Sequence, residues 1–181
     1  KNFFLININE KILILFLILF SLLINQYYGN KGVFPLDSFS HFDSGFRVLN
    51  GEYPFRDYWI TAGPFIDYIQ AIFFYVIGIN WQSYVLHASF VNVVSSLITY
   101  FILKNFKLNN FFCFLYSILF SILAYPSSGT PFVDHHSAFF FINWCIFFYI
   151  SNKRKKEIFL YFIPNFFWFC VLQKVLVLMP S

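Results

Sequence analysis

Long apolar runs separated by short polar segments dominate the chain. The first, ILILFLILFSLLI at 12–24, extends with its flanking residues to about 11–28, which is enough for one membrane crossing. Further runs predict spans at about 82–103, 110–125, 137–151 and 158–173. The last three are short for a full crossing and need flanking residues or a thin membrane. The pattern predicts an all-α fold, a polytopic bundle of transmembrane helices.

The first run has a secretory signal peptide as its alternative interpretation, because Lys1 and Lys11 flank its start. The segment that follows, NQYYGNKGVF, is bulky and offers no small-residue cleavage site. An uncleaved first span is therefore favoured. The chain starts with Lys1 rather than Met and stops just after an apolar run, so we expect the N-terminal part of a longer protein.

Basic residues decide the path of the apolar run Phe65–Ile79, which could be another crossing. The basic clusters are Lys1 with Lys11, Lys104 with Lys107, and NKRKK at 152–156. All three lie on one side of a membrane only if 65–79 does not cross. We therefore expect an interfacial helix at about 65–79, amphipathic or re-entrant, with Asp67 and Gln70 toward water.

This topology leaves two external loops, at about 29–81 and 126–136. They hold six of the eight acidic residues: Asp37, Asp43, Glu52, Asp57, Asp67 and Asp134. The outer face is then acidic and the inner loops are basic. The chain is expected to be a multi-pass protein of the plasma or inner membrane, in contact with membrane lipid, with any active site on the extracytoplasmic side.

Composition supports the membrane prediction and excludes other classes. The chain is 59% hydrophobic and only 11% charged, and a soluble domain carries roughly twice that charge. The net charge of +4 comes from short clusters between apolar runs, so a nucleic-acid partner is not expected. The 30 phenylalanines are attributed to a base-composition bias of the genome rather than to a cofactor site.

Two acidic residues carry the candidate chemistry. Asp37 follows the first span by about ten residues, and Asp134 follows the third by a similar distance on the same side. We expect their loops to meet over one cavity, where a carboxylate can take the proton of an attacking hydroxyl. A second acidic or imidazole group would orient the acceptor or hold a divalent cation. Solvated loop acids are the simpler alternative.

The histidines are interpreted differently from one another. His135 and His136 are adjacent and point in different directions on most backbones, so hydrogen bonding beside a phosphate is favoured over a zinc site. His41 shares a face with Asp37 if that segment is helical. His87 lies in an apolar run and is interpreted as a satisfied interior residue.

Lys174 lies at the far end of the fifth run and should emerge on the outer side. That position breaks the positive-inside pattern. Its ammonium group either extends to the interface along its aliphatic stem or binds a lipid phosphate, and the sequence leaves both open.

The order of residues from Asp37 onward resembles the first external loop of the GT-C glycosyltransferases. The similarity is to the branch related to protein mannosyltransferases and to the transferases that add sugars to bacterial lipid A. It covers about Ile12 to Leu103, and the segments that carry it are DSFSHFDSGFRVLNG and YPFRDYWITAGPFIDYIQAIFFYVIG. Asp37 falls where the family has its catalytic aspartate. The other matching positions are Gly51, Pro54, Asp57, Trp59, Gly63, Pro64 and Gly78. Ser38 stands where many members have Glu, so the paired-acid version is absent.

The resemblance implies a GT-C-like bundle and a polyprenyl-phosphate-linked sugar as donor. Asp37 would deprotonate a hydroxyl of a glycan, lipid or protein acceptor, which would attack the anomeric carbon with inversion. The leaving phosphate needs stabilisation rather than a proton. Substrate-binding roles are expected for His41, Asp57, Asp134, His135, His136 and Lys174. The resemblance assigns no cofactor and leaves a divalent cation open.

Two other classes compete with the transferase. A transporter of lipid-linked glycans would also carry ionisable residues near its helix ends, but charges deep within the spans would mark it. A non-enzymatic membrane subunit or an inactive fragment is the third reading of the sequence.

Overall fold

The computed structural model describes residues 8–32, 35–60, 63–125 and 129–153. Six α-helices account for most of these residues: α1 (Ile8–Gly29), α2 (Pro35–Leu49), α3 (Phe65–Ile77), α4 (Trp81–Asn105), α5 (Asn110–Ala124) and α6 (Val133–Lys153). Within these ranges there is no strand, only an isolated bridge between Pro54 and Tyr58. The all-α prediction is confirmed for the described part of the chain.

The helices begin where the sequence supplies capping groups. The Asn80 side chain accepts a hydrogen bond from the Ser83 amide at 2.8 Å and caps α4. Asn109 does the same for α5 by accepting from the Phe111 amide at 3.3 Å. Pro64 precedes α3, a position where its missing N–H costs nothing. Local sequence therefore fixes these three starts.

Two helices are long and apolar enough to cross a membrane by length and composition, α1 and α4. Both cover the spans that the sequence predicted at about 11–28 and 82–103. The helices α5 and α6 overlap the spans predicted at 110–125 and 137–151. The span predicted at 158–173 lies outside the described residues.

The chain divides into two compact units. The first comprises the described residues within 1–32 and 88–129, and the second those within 33–87 and from 130 onward. Helix α4 contributes its first turns to the second unit and the rest of its length to the first.

In the first unit, helices α1 and α5 bury small and polar side chains. The buried residues of α5 are Cys113, Ser117, Ser121 and Ala124, and those of α1 include Ser21, Asn25 and Gly29. Their spacing of about four residues puts each set on one helix face. Small side chains let the two helix backbones approach closely, as they do in membrane bundles.

The large apolar side chains of the same two helices point outward. Exposed examples are Ile12, Leu15, Phe16, Leu19 and Leu23 in α1, and Phe111, Phe112, Leu115, Leu119 and Leu123 in α5. In water this arrangement would leave a wide apolar surface without cover. It matches a helix bundle whose solvent is hydrocarbon.

Polar side chains link the helices of the first unit. Asn92 of α4 donates to the Ser121 carbonyl at 3.1 Å and to the Ser21 carbonyl at 3.4 Å. Asn25 of α1 donates to the Ser89 hydroxyl at 3.1 Å and to the Gly129 carbonyl at 3.0 Å. These bonds occupy amide groups that burial would otherwise penalise.

An ion pair joins the ends of α1 and α4 in the same unit. The buried Glu10 carboxylate pairs with the Lys104 ammonium and accepts from the Tyr100 hydroxyl at 3.3 Å. The hydrogen bond from the Tyr100 hydroxyl satisfies part of the hydrogen-bonding capacity of this buried carboxylate.

The second unit contains α2, α3 and the starts of α4 and α6. Phe42 of α2 packs edge-on against Phe74 of α3, with ring centroids 4.9 Å apart, and against Tyr84 of α4 at 5.4 Å. Ile66 is also fully buried. This aromatic core fixes how α2 and α3 face each other.

The prediction that Asp67 and Gln70 of α3 face water is wrong. Asp67 is 1% exposed and Gln70 is fully buried, whereas Ile72, Tyr75 and Val76 point outward. The amphipathic pattern defines two faces of a helix but not the medium on each side. The polar face of α3 finds hydrogen-bonding partners on α2 and α4, and its apolar face points outward.

Candidate functional site

Arginines neutralise most of the exposed acid in the segment Pro35–Tyr68. Arg47 binds Asp43 at 2.7 Å, one turn earlier on α2, and Glu52 at 3.2 Å in the turn that follows. The hydrogen bond and charge of Asp43 are the main reasons that the pKa of Arg47 is raised. Asp43 and Glu52 therefore have a structural role, because through Arg47 they hold the loop against the end of α2.

Asp57, predicted to bind substrate, is occupied within its own loop. Its carboxylate accepts from the Tyr53 amide at 2.7 Å and from the Arg56 guanidinium at 2.7 and 2.9 Å. The hydrogen bonds from Arg56 and then from Tyr53 lower the pKa of Asp57. Asp57 therefore closes the turn between 53 and 58, and its contact with a substrate stays a prediction.

His41 and Asp67 form a pair across α2 and α3. The Nδ1 atom of His41 lies 3.1 Å from Oδ1 of Asp67, and their side chains are 14% and 1% exposed. Burial raises the pKa of the Asp67 carboxyl, and the hydrogen bond from His41 opposes that rise. His41 lies within α2, so the segment is helical, as its predicted position on one helix face required.

The pair continues into a buried row of polar side chains, the polar row, formed by His41, Asp67, Gln70, His87 and His136. Gln70 lies one helical turn after Asp67, and its Oε1 accepts from Nδ1 of His87 at 2.9 Å. The rings of His87 and His136 meet edge-on with centroids 5.1 Å apart. His87 is thus interior, as predicted, but only its Nδ1 is satisfied. Its Nε2 and that of Gln70 have no hydrogen-bond partner among the described residues.

The two adjacent histidines of α6 have different surroundings. His136 is fully buried and its Nδ1–H donates to the Phe132 carbonyl at 3.0 Å. In the neutral ring this leaves Nε2 as an acceptor, so donation to a phosphate requires a protonated imidazole. His135 lies between the rings of Phe132 and Phe139, at 5.5 and 6.2 Å.

The two candidate acids belong to segments that meet. Asp37 lies in the first turn of α2, and its side chain lies outside the described part. The next residue, Ser38, is buried and its hydroxyl lies 3.1 Å from that of Thr130. Asp134 follows Thr130 by four residues and is exposed in the first turn of α6. Lys174 lies outside the described residues.

No group of three or more His, Cys, Asp or Glu side chains in the described ranges is arranged to hold a metal ion. The divalent cation stays a prediction, and the lack of a second acid at Ser38 argues against Asp37 as its ligand. Carboxylate oxygens would be needed for such a hard cation.

Asp67, Gln70 and His87 were missed as members of the site. The available signal was a pair of polar residues three apart, Asp67 and Gln70, inside the otherwise apolar run FIDYIQAIFFYVI. Polar groups in such runs face partners rather than apolar surroundings. Which partners they find depends on long-range packing, which the run itself does not specify.

Gly45 allows α2 to approach Gln70. A Cβ at this position would lie 2.6 Å from Cγ and 2.9 Å from Cβ of Gln70. We expect Gly45→Ala to push α3 away and to cost about 1–3 kcal/mol of folding free energy, as overpacking generally does. Thermal unfolding in detergent would measure the loss, with Ser40→Ala on the exposed side of α2 as the control. Equal unfolding midpoints for the two variants would contradict this close approach.

Comparison of the chain with family models, with curated proteins and with solved structures gave no match.

Proposed function

We propose that the protein is a membrane glycosyltransferase of the GT-C type. It would move a sugar from a polyprenyl-phosphate donor to an acceptor hydroxyl on the extracytoplasmic side. Asp37 takes the proton of the hydroxyl as its oxygen bonds to the anomeric carbon. The bond from that carbon to the phosphate oxygen breaks, and the polyprenyl phosphate leaves as an anion.

The observation that carries the proposal is the hydrogen bond between Ser38 and Thr130. It holds the first turn of α2, which contains Asp37, against the segment that leads to Asp134. This supports a single site made from two acid-bearing loops, as the positions of Asp37 and Asp134 after the first and third predicted spans led us to expect. A carboxylate base and a second polar loop are what transfer to a hydroxyl requires.

The outward face of α3 supports a lipid-linked donor. Ile72, Tyr75 and Val76 are 61%, 81% and 73% exposed, while the polar face of the same helix is buried. An apolar face of this kind suits the boundary of a bilayer. A donor with a polyprenyl tail could keep the tail in lipid while its sugar reaches the loops.

The activity is tested with membranes that contain the full chain. Polyprenyl-phosphate mannose and polyprenyl-phosphate glucose, each labelled in the sugar, would be added as separate donors. We expect label to leave the lipid fraction and to appear in an acceptor with inverted anomeric configuration. Label that crosses the membrane while still attached to lipid would instead identify a transporter. Label that stays attached to lipid and on its original side of the membrane would contradict both functions.

The orientation predicts the accessibility of engineered cysteines. In a background without Cys113, Cys145 and Cys170, a cysteine at Lys107 should not react with an impermeant maleimide added outside. One at Asn50, which is exposed after α2, should react. The physical reason is that basic loops stay on the cytoplasmic side. Equal labelling from outside at both positions would mean that α3 crosses the membrane.

A further inference from the structure

His41 has a defined tautomer when Asp67 is ionised. A carboxylate is only an acceptor, so Nδ1 of His41 must carry the proton that it donates to Oδ1 of Asp67. In the neutral ring Nε2 is then an acceptor with basic character. The carboxylate also stabilises the imidazolium that forms when Nε2 takes up a proton.

The pair differs from every other described acid–base contact of this loop. Asp43, Glu52 and Asp57 are partly exposed and bind arginines, which keep their charge at all ordinary pH values. Asp67 is buried and binds the imidazole of His41, a group that can both take up and release a proton. A buried carboxylate is costly, and a permanent cation would compensate it better. A partner that can pass on a proton fits a role in proton transfer.

The pair also lies next to the proposed base along the helix. His41 follows position 37 by four residues on α2, which is one turn along the same face. The first turn is held by the Ser38–Thr130 hydrogen bond. Position 37 and His41 therefore share one face of α2.

We propose that His41 and Asp67 are a proton relay for Asp37, an inference that rests on the proposed transferase function. After the acceptor oxygen has bonded to the sugar, Asp37 holds the proton of the acceptor hydroxyl. That proton passes to Nε2 of His41, which becomes an imidazolium held by the Asp67 carboxylate, and then to water. Asp37 is then again a carboxylate and His41 is again neutral, and the proton transfer needs no further reactant.

Other polar groups surround the pair and set its electrostatics. Gln70 lies on α3 beside Asp67, and Tyr58 is close enough for the Asp67 charge to contribute to the raised pKa of its hydroxyl, after burial. His87 and His136 complete the polar row, and within it His41 is the ring that pairs with a carboxylate.

The relay is tested by chemical rescue. His41→Ala should reduce transfer of the labelled sugar about 100-fold or more, the usual contribution of a proton-transferring group. Added imidazole can supply the missing base. It should therefore raise the transfer rate of His41→Ala at least about tenfold, in proportion to the imidazole concentration. His41→Gln keeps the size of the side chain and should lose as much activity. Asp37→Asn should gain nothing from imidazole.

A second readout tests the role of Asp67 as a positioning residue. Nitrogen NMR of the His41 ring, assigned by comparison with His41→Gln, should show the proton on Nδ1 in slightly alkaline buffer. In Asp67→Asn the amide can donate instead, so the proton should move to Nε2. A wild-type ring protonated on Nε2 would overturn the pairing, whatever the activity.

The outcomes separate the relay from the transferase function. An inactive Asp37→Asn beside a fully active His41→Ala would remove the relay and leave the transferase. A folded His41→Ala that loses activity without any imidazole rescue would reduce His41 to a structural residue. A wild-type chain that transfers no sugar would remove both proposals, because Asp37 would then have no proton to pass on.

Discussion

Asp37→Asn is expected to abolish sugar transfer while the protein still accumulates in membranes at the wild-type level. The substitution replaces the proton-accepting carboxylate by a neutral amide but keeps the size of the side chain. Loss of a general base lowers rates by about 10²–10⁴-fold. The measurement is the initial rate of label transfer per amount of protein, with unfolding followed in parallel to show that α2 is intact.

Asp43→Asn is the matched control for this experiment. Asp43 lies on the same helix, and its exposed carboxylate binds Arg47 in a pair open to solvent. Removal of one negative charge from α2 is therefore common to both variants. We expect the control to transfer sugar at nearly the wild-type rate, because exposed pairs contribute little. Normal transfer by Asp37→Asn and none by Asp134→Asn would assign the base to the other acidic loop.

Gly129→Ala is expected to prevent correct folding of the first unit. A Cβ at this position would lie 2.2 Å from the Gly29 amide nitrogen, 2.6 Å from the Gly29 Cα and 2.7 Å from the Asn25 carbonyl oxygen. All three are backbone atoms of α1 and cannot rotate away. Gly129 also has a φ of 62°, a region that costs other residues about 1–2 kcal/mol. The combined cost is on the order of 3 kcal/mol or more.

Fluorescence-detected gel filtration in detergent and thermal unfolding would measure this loss. Gly32→Ala is the control, since a Cβ there meets no atom within 4 Å. We expect the control to run as a single peak and Gly129→Ala to aggregate or to unfold at a much lower temperature. An unfolding midpoint equal to that of the control would mean that Gly129 and α1 do not approach this closely.

The sequence predicted the all-α class because few structures other than helices accommodate apolar runs of this length. The described ranges confirm that class. The spans predicted to begin at about 82 and 110 overlap α4 and α5, whose starts are capped by Asn80 and Asn109. The sequence misplaced the polar face of α3, because periodicity reports two faces without naming what each contacts. It did not indicate Gly129, whose requirement arises from a residue about 100 positions earlier in the chain.

The candidate site was predictable only in part for the same reason. His41 was selected from its spacing to Asp37, which is a local relation. Asp67 and Gln70 depend on contacts with α2 and α4, which are known only once the helices pack. Most acids of the loop proved to be bound by arginines, a distinction that sequence order alone does not provide.

The division of α1 and α5 into a narrow inner face and a broad outer face bears on how the gene can drift. Ser21, Ser117 and Ser121 are confined by close helix contact, so few replacements are tolerated there. Outward positions of the same helices, such as Phe16, Phe111 and Phe112, are about half exposed, so the fold constrains the shape of their side chains less. Exchanges between large apolar residues should therefore accumulate on the outer faces sooner than replacements of the buried serines.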